Sequence, residues 1–278
     1  MRLAWLGCAL VLVSFAGCRR AKAGGGAEPD ARLRFTRDGA FVELTERQLE
    51  AAAPPETIAA YDPYYRRVKR FRALPLGAVL ARGFPGVTLA GEEMVLRARD
   101  GYTVPIAGKK LLEPGAYLAV ADLDVPDWEP IGPQRSDPGP FYLIWSGAHQ
   151  QDLESHPRPW QLAVVEVARF DALFPHAVPS GAAPDSPAAR GFTIFRAECI
   201  RCHAVNREGG RIGPELNVPQ SIVEYRPEPQ IKAYIRNPLQ FRYGAMPAHP
   251  QLSDGDLDDL IAYFRFMKSI KNDPDSVP

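Results

Sequence analysis

The chain's most chemically specific run is Cys199-Ile200-Arg201-Cys202-His203, a C-x-x-C-H. Two thiols at this spacing can add to the two vinyl groups of a haem, and the next residue is then placed to give its imidazole to the iron. Three other readings compete. A zinc site of two Cys and one His needs a fourth ligand, and no Cys other than these two follows Cys18 in the chain to complete it. A thioredoxin-like pair belongs at a helix start after a strand, whereas this run follows an amphipathic helix. A disulfide between residues three apart is strained and stabilises little.

The other two cysteines, Cys8 and Cys18, fall in the N-terminal region. Residues 3–17 carry no charge, with Arg2 before them and Arg19-Arg20 after. A run this short, with a positive start, reads as an export signal and falls short of a membrane span. Phe15-Ala16-Gly17-Cys18 resembles a bacterial lipobox, in which the Cys is lipidated and becomes residue one, although Phe departs from the usual aliphatic first position. The alternatives are cleavage after Ala21-Lys22-Ala23 and an uncleaved anchor. All three place the body outside the cytoplasm, where the surroundings are oxidising.

The 278 residues are 46% hydrophobic and 24% charged, a globular composition. Lys+Arg and Asp+Glu both number 33, which excludes a nucleic-acid binder that works by bulk positive charge. The 28 prolines call for much irregular chain. Residues 18–31 read as a flexible tether with three consecutive glycines, and 176–189, rich in Pro, Ala, Ser and Gly, as a linker with roughly 20 Å of reach. Between and beyond them lie an α+β domain, 32–175, and a helical domain, 190–272.

In the last third, Ser186-Pro187 pairs an N-cap with Pro at the first helical position and predicts a helix to about Glu198. Ser253-Asp254-Gly255-Asp256 starts another, with Leu257, Leu260, Ile261 and Phe264 on one face. In the first body, Asp38-Gly39 and Asp100-Gly101 mark strand turns. Thr45 to Gln48 forms a capping box. Residues 117–121, 141–145 and 162–167 have strand length and composition. Arg66-Arg67 and Lys69-Arg70, beside Tyr64, Tyr65 and Phe71, read as a solvated face, or as a patch that could meet an acidic surface.

From about 186 to 271 the chain resembles the single-haem class I cytochrome c family. After a helix and C-x-x-C-H come Gly213-Pro214-Glu215-Leu216, Asn237-Pro238, Met246-Pro247 and a C-terminal amphipathic helix, in the family's order. The resemblance implies one covalent haem c on Cys199 and Cys202, with His203 and Met246 as axial ligands. It also implies that the Pro214 carbonyl holds the His203 ring. Pro214 as a plain turn residue, Met246 as a core residue and His249 as a competing ligand stay open. A Gly at 191 and an aromatic at 195 would let the first helix cross the last closely, against Tyr263. His and Met together leave no open iron position, which suits electron transfer.

Residues 100–170 resemble, more faintly, the molybdopterin-binding domain of sulfite-oxidase-like enzymes, through Arg99 to Val104, Leu111 to Ala116 and Gly139 to Trp145. That family's metal is held by a Cys thiolate, and no Cys lies between 18 and 199. Molybdopterin is therefore not expected here, and a positioning or binding module is. His149, His156 and His176 do not form a ligand spacing. The expectation is a multi-domain protein: a degenerate molybdopterin-binding-like α+β domain, then an all-α cytochrome c domain. It would be a lipid-anchored electron carrier on the periplasmic side of a bacterial envelope. Its partners would be a dehydrogenase and a respiratory acceptor. Rival readings are a molybdopterin oxidoreductase wired to the haem, and a haem sensor.

Overall fold

The computed structural model describes residues 31–276 apart from 133, 245 and 275, and the expected signal peptide and Cys18 lie outside these. Strand β1 (Arg32–Arg37) pairs antiparallel with β2 (Ala40–Thr45). Asp38 and Gly39 turn between them at φ of 52° and 77°, the left-handed geometry that an Asp-Gly hairpin needs. Thr45 then caps α1 (Glu46–Ala52) by a capping box with Gln48.

Next come β3 (Glu56–Asp62), β4 (Arg67–Pro75), α2 (Leu76–Gly83), β5 (Glu93–Ala98), β6 (Thr103–Ala107) and α3 (Gly108–Leu111). They are followed by β7 (Ala116–Asp122), β8 (Tyr142–Trp145), β9 (Leu162–Val167) and α4 (Phe170–Leu173). One sheet runs β2-β1-β9-β5-β6 and the other β3-β4-β7-β8. All ladders in them are antiparallel except β1 with β9. Period-two side chains from both sheets meet in one core, where Leu33, Phe35, Leu74, Leu96, Leu118 and Trp145 pack with α1 and α2. The far side of the second sheet buries Phe71, Tyr142 and Ile144 under Tyr64, Trp128 and Trp160.

Within the β3–β4 hairpin Arg66, Arg67 and Arg70 are exposed, as a solvated face requires, and the reading is corrected at Lys69 alone. Lys69 is fully buried. Its Nζ donates to Asp122 at 2.7 Å and Glu129 at 2.8 Å and sits 4.9 Å from the Tyr65 ring centre. Burial alone would lower the Lys69 pKa, but the two carboxylates outweigh it and hold the pKa above its ordinary value.

The last third is mostly helical: α5 (Pro187–Ile194), α6 (Ile222–Tyr225), α7 (Glu228–Arg236) and α8 (Asp254–Ser269). It is not all-α, because β10 (Ala204–Val205) and β11 (Glu208–Gly209) form a short antiparallel ladder. Ser186 and Ser253 cap α5 and α8 as their sequences require. Gly191 carries the crossing of these two helices. A Cβ there would stand 1.9 Å from the Asp259 carbonyl oxygen. Phe195 stacks against Tyr263 with ring centres 5.1 Å apart.

The described residues from 31 to 276 form one compact unit. Val95, Phe170 and Phe174 from the first body join the same buried cluster as Phe195, Leu260 and Tyr263. Backbone hydrogen bonds cross as well, from Thr103 N to Arg201 O (3.0 Å) and from Arg211 N to Gly101 O (3.1 Å). The 176–189 segment is tied down at its start. The amides of His176 and Ala177 donate to Glu208, and Tyr263 Oη donates to the Ala177 carbonyl at 2.7 Å. Free swinging over the full 20 Å reach is therefore replaced by a docked arrangement.

Candidate haem-binding site

Helix α5 runs into a wide π turn over Phe195–Cys199, closed by Ile200 N donating to Phe195 O at 2.9 Å. This extra residue in the helical turn is a feature common at functional positions. It delivers Cys199, and the amides of Cys202 and His203 fold back onto the Cys199 carbonyl. Both thiols are unbridged and half-buried. Burial pushes Cys199 up to about 12 and Cys202 up to about 11, so in the free fold they are protonated thiols and not thiolates.

His203 Nδ1 lies 2.9 Å from the Pro214 carbonyl oxygen. Only the Nδ1–H tautomer can donate to that oxygen, which leaves the Nε2 lone pair free. Burial lowers the His203 pKa, which keeps the ring neutral. Gly213 makes room for the ring, because a Cβ there would stand 2.4 Å from His203 Cε1. An orienting acceptor, a free Nε2 and two unbridged thiols on one turn fit a c-type haem. Nothing in this donor set favours zinc, and among the described residues no group of three His, Cys, Asp or Glu could hold a metal ion.

Sequence reasoning missed Glu215. Its Oε1 accepts from the amides of Asn206 (2.9 Å) and Asn217 (2.8 Å), and its Oε2 from Arg207 N (2.9 Å). Asn206 and Arg207 turn there with φ of 56° and 66°. One carboxylate thus fixes the loops on both sides of Pro214. Its only sequence signal is its place beside that proline.

Met246 is half-buried and packs against the helical core. His249 precedes Pro250 in a loop without regular secondary structure. Its side chain is largely buried, with Nδ1 3.6 Å from Glu198 Oε2. Glu198 is pushed up to about 7, first by burial and then by the neighbouring Glu154 carboxylate. The remaining histidines lie apart: His149 is exposed, His156 packs on Trp145 and His176 pairs with Glu208.

Residues 188–268 match the family model of cytochrome c. Over 89 residues the chain is 37% identical to cytochrome c oxidase subunit 2 of Alkalihalophilus pseudofirmus, a stretch that covers 29% of this chain and 26% of that protein. The chain thus spans about a quarter of that relative's length. The C-terminal part is a cytochrome c domain, which implies haem c binding and a role in electron transfer. The region before it is a mixed, sheet-rich domain. No helix among the described residues is long and apolar enough to cross a membrane.

Proposed function

We propose that this is a c-type cytochrome that passes single electrons between a dehydrogenase and a respiratory acceptor, on the periplasmic side of a bacterial envelope, anchored by a lipid on Cys18. The observation that carries the reading is the 2.9 Å hydrogen bond from His203 Nδ1 to Pro214. It orients the ring and leaves Nε2 to serve as an iron ligand. In this reading Cys199 and Cys202 hold one haem covalently, and His203 and Met246 are its axial ligands. Bound haem supplies one-electron chemistry at iron. The Pro214 carbonyl would orient the His203 imidazole, and Met246 would offer its thioether as a second ligand, which would favour electron transfer over reactions with oxygen or peroxide. The likeness of an 89-residue stretch of the chain to part of an oxidase subunit supports a respiratory setting.

The first domain, in the same reading, shares the molybdopterin-binding type of fold without its metal ligand and works by positioning the haem domain. The hydrogen bonds of Thr103, Gly101, Leu153 and Glu154 with the 201–211 segment support this role. The test is elemental analysis of the purified full chain, with mass spectrometry of its N-terminus. One iron per chain, no molybdenum and an acylated Cys18 are the expected results. Stoichiometric molybdenum would establish the enzyme reading instead.

A further inference from the structure

Electron carriage by the haem domain leaves the buried charges of the first domain without a task. Asp62 is fully buried, and its Oδ1 accepts from the amides of Tyr64 and Tyr65 at 2.9 and 3.4 Å. Its Oδ2 accepts from Tyr142 Oη at 2.7 Å and lies 3.6 Å from the buried Arg158 guanidinium. The buried Lys69–Asp122 pair, joined by the half-buried Glu129, forms the neighbouring network. Buried ion pairs seldom add net stability, since desolvation offsets their attraction. What this network does is hold the β3–β4 turn, Tyr64-Tyr65-Arg66, in one shape.

That turn forms one side of a cleft of about 570 Å³, lined among others by Tyr64, Tyr65, Arg66, Glu129, Ile131 and Leu153. The volume is that of an ordinary small-molecule site. Its lining is mixed: the Tyr64 and Tyr65 rings, Ile131 and Leu153 stand beside the charges of Arg66, Arg67 and Glu129, with one cation in surplus. Glu129 is neutralised by Lys69 and Arg67. Arg66 makes no ion pair among the described residues. Tyr64 is held edge-on against Trp160 at 5.1 Å, so its ring is a fixed wall.

The cleft adjoins the haem-attachment turn. Arg201, which lies between the two cysteines, donates from Nη1 to the Leu153 carbonyl at 3.1 Å and from Nη2 to that of Glu154 at 2.7 Å. A ligand seated on Tyr64 would therefore lie beside the loop that carries the thiols.

We propose that this cleft binds a small aromatic acid of the hydroquinone class, with its ring against Tyr64 and its carboxylate on Arg66, as an electron donor to the haem. Oxidation of such a ring to the quinone releases two electrons and two protons. The protons pass to water, and the electrons reduce two ferric haems to ferrous, one at each encounter. The donor role rests on the electron-carrier reading; binding does not.

The experiment uses the haem-loaded full chain in its ferric state. Calorimetry with salicylate, an aromatic acid that is not a hydroquinone, should give one-to-one binding. Arg66→Ala, an exposed site, should weaken binding about tenfold, as expected for loss of a charged hydrogen bond. Leu153→Trp should abolish it by filling the cleft. Gentisate, a hydroquinone with a carboxylate, should reduce the haem about tenfold more slowly in both variants at sub-saturating concentration. No heat with salicylate, or binding and reduction unchanged in both variants, would overturn the proposal. A haem without a low-spin c-type spectrum would overturn the carrier reading, whereas a normal spectrum with no binding overturns only the cleft.

Discussion

Gly191→Ala tests the helix crossing on which the haem domain is built. A methyl group at 191 would stand 1.9 Å from Asp259 O, 2.4 Å from Asp259 C and 2.9 Å from Leu260 N. Ordinary van der Waals contact begins near 3.4 Å, so the clash is with backbone over more than an ångström. No rotamer relieves it, and α5 and α8 must move apart. That motion would loosen the Phe195–Tyr263 stack and the two-pronged Arg190–Asp259 ion pair, both arms of which are 2.7 Å. Overpacking of this kind costs about 1–3 kcal/mol when side chains can yield, and a backbone clash belongs at or above the upper end. At about 2–4 °C per kcal/mol for a chain of this size, the midpoint should fall by roughly 6–12 °C. The assay is calorimetric melting of the haem-loaded protein beside Gly255→Ala. Gly255 lies in the first turn of α8 with only Ser253 Oγ at 3.7 Å, so that variant should melt within a few degrees of the parent. Equal melting of Gly191→Ala and the parent would refute the packing account.

Lys69→Ala should cost about 3–5 kcal/mol, because it leaves Asp122 as a buried, uncompensated carboxylate, whereas Glu129 keeps its pair with Arg67; Arg70→Ala, which breaks an exposed pair with Asp124, should cost within about 1 kcal/mol by the same denaturant titration. Glu198 faces Glu154, Asp152, Arg201 and His249 and holds its proton up to about 7, against 4.5 for the unfolded residue. Its contribution is therefore complete below pH 4.5 and is lost as pH climbs to about 7, and Glu198→Gln should flatten that part of the stability–pH curve. A variant curve as steep as the parent's would assign the titration to another group.

The candidate haem site is legible in the sequence because its parts are local. C-x-x-C-H and Gly-Pro-x-Leu are short runs whose roles follow from residue type, and the His203–Pro214 hydrogen bond joins positions only eleven apart. Gly191 and Phe195 were readable for a similar reason, since one helical turn puts both on one face. The β3–β4 hairpin was not legible. Along β4, Val68 points to solvent and Lys69 inward, the reverse of the usual polarity, and the reason is Asp122, 53 residues away. The docking of the two bodies was hidden too. It rests on backbone amides at Thr103 and Arg211, which any residue but proline could supply. A Pro- and Ala-rich joint says nothing of the Glu208 carboxylate that pins its start.

If His203 and Met246 both ligate the iron of a single covalent haem, the reduced protein has no free position for carbon monoxide, and exposure to that gas is the decisive measurement. The parent should show a low-spin c-type spectrum that carbon monoxide leaves unchanged. Met246→Ala should bind carbon monoxide while its haem stays attached through Cys199 and Cys202 under denaturing extraction. Carbon monoxide binding by the parent would show an open iron and contradict the account. A Met246→Ala spectrum identical to the parent's would make another residue the ligand, with the buried His249 the first to substitute.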